Sequence, residues 1–129
     1  MKKVLLSTLL AIVAILISGS CIFYVISVSD KATMYVEKIK SDAENDDFEH
    51  VITNINQLSD FWESNHTLLS IILHHEILEN IEESIAVIKS SAETQPQAEN
   101  SDFQMEIEKL SIRLKNFREV EIPSIGNIL

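Results

Sequence analysis

The chain has 129 residues, a formal net charge of −10 and a single cysteine, with two glycines and two prolines in its whole length. Such a chain holds one small domain; its acidity disfavours nucleic acid and anionic lipid surfaces as partners, and one cysteine rules out an internal disulfide. With so few turn residues the default is helices joined by polar breaks, because sheet hairpins draw heavily on glycine and proline.

The first element is "VLLSTLLAIVAILISGSCIFYVISV", from Val4 to Val28, an uncharged apolar run with Lys2 and Lys3 before it and Asp30 after it. At about 1.5 Å per residue it crosses a hydrocarbon layer of roughly 30 Å with some tilt. Two other readings exist. Ser18 and Ser20 sit where a signal peptide could be cut, and "SGSC" ending at Cys21 faintly resembles a lipoprotein signal. Against cleavage, "IFYVISV" prolongs the apolar run past that point; against lipidation, Ser18 stands where a large aliphatic residue is usual. The expectation is therefore an uncleaved signal-anchor over residues 1–29 and an extracytoplasmic domain over 30–129. Lys2 and Lys3 keep the N-terminus cytoplasmic, since basic residues are retained on that side. Beyond residue 29 there are eight basic against twenty acidic side chains, a net of −12.

The span is expected to run without a joint into the exported part, because Val25, Val28, Ala32, Tyr35 or Val36, Ile39 and Ala43 recur at intervals of three and four. "ENDD" (Glu44 to Asp47) ends that helix and starts another, with Asp46 and Glu49 spaced as a capping box. The second helix carries Phe48, Val51 or Ile52, Ile55, Leu58 and Trp62 on one face. Continued in sevens, this stripe reaches Leu69, Glu76 and Glu83, and the two glutamates cannot be core. A turn is therefore expected near "ESNHT" (Glu63 to Thr67). A third helix is expected over Leu68 to Ala92, with Ile71, His74, Leu78, Ile81, Ile85, Ile88 and Ala92 as its buried seam. "ETQPQAENS" reads as a loop. A fourth helix follows, capped by Ser101 and Gln104, with Phe103, Ile107, Leu110, Leu114 and Phe117 on one face. The tail "IPSIGNIL", broken by Pro123 and Gly126, is expected to fold back on the bundle. "NDDFE" and "NSDFQ" both put a phenylalanine just inside a helix start; capping chemistry accounts for that likeness without a duplication. The fold expected is all-α: an N-terminal transmembrane helix followed by an up-and-down antiparallel bundle of three to four helices.

Candidate chemistry concentrates in "HHEILENIEESIAVIK". His74 and His75 point about 100° apart on one helix and cannot readily chelate one ion together. The weak metal candidates are His75 with Glu79 one turn away, joined by Glu82, and they need ligands from another helix. Against this stand a core role for His74, hydrogen-bonded to a neighbour, and a solvated acidic face for the rest. His50 lies near a helix start and His66 near a turn. No nucleophile elbow, phosphate loop or Cys-His arrangement occurs, so neither a catalytic residue nor a cofactor is expected. A hydrolase using Glu76, Glu79, Glu82 and Glu83 is the least favoured reading. Phe61 and Trp62 read as core packing before partner contact.

The N-terminal span, the acidic helical region with "FWESNH" near its middle, "HHEILENIEESIAVIK" and the closing "SIGNIL" together resemble the domain-of-unknown-function family 4363. The resemblance covers nearly the whole chain and implies a small single-span protein of a low-GC Gram-positive bacterium. It implies no activity, cofactor or catalytic position to transfer. The functional expectation is a non-enzymatic accessory or interaction subunit on the outer face of the cytoplasmic membrane, bound to an integral membrane protein or to another copy of itself, with no nucleic acid. The alternative is an extracytoplasmic sensor that binds a cation or small ligand and signals through a membrane partner.

Overall fold

A computed structural model describes residues 1–94 and 101–126, with side chains described for residues 1–94 and 102–119. Four helices follow one another: α1 (Lys2–Glu44), α2 (Phe48–Ile72), α3 (His75–Thr94) and α4 (Ser101–Gly126). Among the described residues there is no strand. Sequential helices pack antiparallel, α1 against α2, α2 against α3, α3 against α4, and α4 closes the square against α1. This is the up-and-down bundle expected, with α1 as both its first helix and its stalk.

α1 is unbroken over 43 residues, about 65 Å at 1.5 Å per residue. Its first 20 residues are exposed on every side, and it is the one described helix long and apolar enough to cross a membrane. From Val25 onward one face is buried: Val25, Val28, Ala32, Val36 and Ile39 enter the core with almost no exposure. Tyr35, the alternative to Val36 on this face, is half-buried and rests on Phe61 of α2, ring centres 5.8 Å apart.

The α1–α2 joint differs from expectation by one residue. Asp46 is not the cap but the left-handed residue that stops α1, at φ 55°. Its N–H donates to Ala43 O at 3.2 Å and the N–H of Asp47 donates to Asp42 O at 2.9 Å, the paired bonds of a Schellman stop. Asp47 then caps α2, accepting from the His50 N–H at 3.4 Å, while its second oxygen lies 2.6 Å from the His50 ring. His50 thus occupies the place expected for Glu49. The cap of α4 at Ser101 lies outside the described side chains.

The expected turn at Glu63–Thr67 does not occur. α2 continues through it to Ile72, and the third helix begins at His75 and not at Leu68. The stripe reaches Leu69, fully buried, and the chain turns at Leu73–His74, just before Glu76 would have entered the core. Leu73 is extended (φ −108°, ψ 156°) and buried, and the His74 carbonyl accepts from Ile77 at 3.2 Å and Leu78 at 3.4 Å. Ile71 and His74 consequently leave the α3 seam. Both are exposed, while Leu78, Ile81, Ile85, Ile88 and Ala92 remain buried as expected. α4 buries Phe103, Ile107, Leu110, Leu114 and Phe117, and its backbone stays helical through Pro123 to Gly126, where a break was expected. The loop at 95–100 and the last residues of the tail lie outside the described residues.

Across the diagonal of the bundle Trp62 of α2 meets Phe117 of α4 edge-on, ring centres 6.2 Å apart. Both rings are buried, so Trp62 is core, as the sequence reading preferred. Two small polar residues let helices approach closely. Buried Ser29 donates to Leu114 O at 3.3 Å, and buried Ser84 meets the Arg113 guanidinium, which also donates to Asn80 O at 2.6 Å.

Candidate functional site: the groove between α2 and α3

The segment "ESNHT" is where the chemistry of the bundle gathers, because the uninterrupted α2 turns its polar side chains toward neighbouring helices. Asn65 donates to Phe61 O at 2.7 Å within its own helix and accepts from the Tyr24 hydroxyl of α1 at 2.5 Å. One residue on, the His66 ring contacts the carboxylate of Glu82 on α3. The pair forms because antiparallel packing sets Glu82 opposite His66, on the half-buried rim of the α3 seam.

Around this pair lies a groove of about 260 Å³, lined also by Trp62, Glu63, Ile85, Ala86 and Lys89. Its floor is apolar and its rim carries both signs of charge. The Trp62 indole N–H is buried beneath it without a hydrogen-bond partner among the described residues. Such a rim suits a small amphipathic or zwitterionic guest better than a bare metal ion, which needs three or more converging ligands.

The metal candidates do not converge. His75 Nε2 lies 2.8 Å from Glu79 Oε1, one turn apart on the first turns of α3, and both side chains are largely exposed. Glu82 faces α2 and is engaged by His66, so the structure brings together two of the three expected residues and places the third in another contact. Among the described residues no group of three His, Cys, Asp or Glu side chains gathers in metal-binding geometry. His74 is exposed in the α2–α3 turn, contrary to its expected core position, and His50 belongs to the cap of α2.

His66 was missed as a site residue because a helix was expected to end there. The available signal was spacing: counted by sevens from Phe48 the stripe gives Ile55, Trp62 and Leu69, so His66 falls one helical turn past Trp62, on the edge of the same buried face.

Comparison with curated proteins and with solved structures finds no match. A family model described as a domain of unknown function, DUF4363, matches residues 20–128. The match starts within one turn of the point where α1 begins to be covered and takes in all four helices of the bundle. The chain belongs to the domain-of-unknown-function family DUF4363.

Proposed function

We propose that the protein is a non-enzymatic accessory subunit anchored by α1 in the cytoplasmic membrane, its acidic bundle on the outer face and its partner an integral membrane protein. The observation that carries this reading is the continuity of α1. The same helix that exposes Val4 to Ile17 on all sides buries Val25 to Ile39 in the bundle, so the bundle and the apolar run are joined without a hinge. A rigid join suits a protein that presents a fixed surface to a membrane neighbour. Lys2 and Lys3 against a net of −12 beyond residue 29 favour the exported orientation.

Met105 and Ile112 are exposed apolar residues two turns apart on the outward face of α4, and they are the natural reporters of a partner. A photo-crosslinking residue at either position in growing cells should give one reproducible adduct with an integral membrane protein. The same residue at Thr53, exposed on α2, serves for comparison. Adducts with only soluble proteins, or none above that comparison, contradict the reading; adducts between copies of the chain make it a self-associating subunit.

The α2–α3 groove favours a second reading, an extracytoplasmic sensor for a small ligand. There the His66–Glu82 contact and Lys89 would hold the polar end of the guest and the apolar floor its body. Titration of the full-length protein in detergent with divalent metals and with amphipathic amines and acids should then raise its Tm, by about 2.7 kcal/mol of stabilisation at a hundredfold excess over Kd. An unmoved Tm with all of these removes the sensor.

A further inference from the structure

The α2–α3 tip lies beside a part of α1 that the membrane needs for itself. A span of roughly 30 Å takes about 20 residues, and counted from Val4 these end at Phe23. Yet Leu68 and Ile72 of α2 form a groove with Leu16, Ser20, Cys21 and Tyr24 of α1. The helices are antiparallel, and the Tyr24–Asn65 hydrogen bond fixes their register, so descending α2 from Asn65 to Ile72 means descending α1 from Tyr24 toward Leu16. Leu16 to Phe23 is about 10 Å of helix. The tip and the upper part of the span thus occupy the same depth.

The side chains at this depth agree. From Leu68 to Leu73 the sequence is "LLSIIL", without a charge. Ile71 is 77% exposed, Leu68 55% and Phe23 of α1 76%, apolar surface at this depth that water would have to cover. The one polar side chain between them, Ser70, donates to Thr67 O at 2.7 Å, so its hydroxyl is satisfied within the helix. His74, His75 and Glu76 follow at the turn and are all exposed. They form the leading end of the tip and reach at least as deep as Ile72, so the contact is confined to the boundary of headgroups and acyl chains, where polar side chains still meet headgroups and water, the depth of about 5–10 Å at which amphipathic segments lie.

We infer that the α2–α3 tip is a second membrane contact: Leu68, Ile71 and Ile72 enter the outer leaflet beside α1, and phospholipid acyl chains fill the groove of about 350 Å³ between them. This rests on the proposal that α1 crosses the membrane. The bundle is then not held away on a stalk. It is seated in the leaflet, which fixes its rotation about α1 as well as its height.

The test uses the full-length chain with Cys21→Ser, reconstituted in phosphatidylcholine vesicles, and a polarity-sensitive fluorophore on a single cysteine introduced as Ile71→Cys. Ile12→Cys reports the span and Met105→Cys the far end of the bundle. Both the 71 and the 12 labels should shift to the blue and lose most of their emission to spin-labelled lipids. The quencher near the carbonyl end of the acyl chain should act more strongly on the 71 label and the one near the methyl end on the 12 label. The 105 label should respond to neither. A 71 label that stays water-like while the 12 label is quenched overturns the inference and leaves the span intact. If the unlabelled Ile71→Cys chain, treated with a mild oxidant in the same vesicles, then forms disulfides between copies, the cover of these residues is a second chain. An unquenched 12 label overturns the span itself.

Discussion

Asp46 and Asp47 are neighbours of one residue type, and the structure gives them opposite tasks: one ends α1 in the left-handed region, the other caps α2. Sequence pattern could place the joint but not divide it, since an acidic residue serves either position. The division has energetic consequences. Glycine takes the left-handed conformation without strain, so Asp46→Gly is expected to raise the stability of the full-length protein by about 0.5–1 kcal/mol. Asp47→Ala removes the cap and should cost about 1 kcal/mol. Urea denaturation followed by circular dichroism reads both, and a loss with Asp46→Gly would return the cap to that residue. The His66–Glu82 contact was not legible, because it depends on which helix faces which. A double-mutant cycle with His66→Ala and Glu82→Gln should give a coupling of about 0.5 kcal/mol, both side chains being partly exposed. In the core, Leu110→Ala removes a side chain with no exposure and should cost about 2–5 kcal/mol.

At the scale of the element, the spacing of apolar residues located the buried faces of α1, α2 and α4 and most of that of α3, where Ile71 and His74 prove exposed; the largest error of boundary is the one between α2 and α3. The phase of the stripe requires a break between Trp62 and Leu78. The polar stretch "ESNHT" points to that place for it, whereas the real turn at Leu73–His74 contains neither glycine nor proline. Polar residues there are polar for another reason: Asn65 and His66 are partners for Tyr24 and Glu82. Ser64 is exposed in the middle of α2 and donates only to Phe61 O, at 2.8 Å, so it isolates the backbone. Ser64→Pro should destabilise the protein by about 3 kcal/mol or more, because proline removes a helical hydrogen bond and clashes with the preceding turn. A substitution without effect in the same urea experiment would mean that the helix is broken there. Pro123 shows the limit of such punctuation, for α4 remains helical through it.

For the whole molecule, the decisive feature is that the apolar run and the first helix of the bundle are one continuous helix. Sequence periodicity gave warning of it, since the apolar recurrence from Val25 to Ala43 keeps its phase across Asp30. The depth of the α2–α3 tip gave none, because it depends on the register between α1 and α2. Charge completes the picture: Asp30 pairs with Arg118 at 2.9 Å just above the apolar run and Lys40 with Glu108 at 2.8 Å about three turns farther on, tying α4 to α1 at two levels. The central claim is that α1 stays in the bilayer with the bundle outside. Labelling of intact cells with a membrane-impermeant maleimide, on a Met105→Cys chain with Cys21→Ser, tests it most directly. The account predicts a labelled, membrane-bound species of full-length mass, 14.6 kDa before the label. Labelling only after lysis, or a shorter labelled species in the medium, would contradict it.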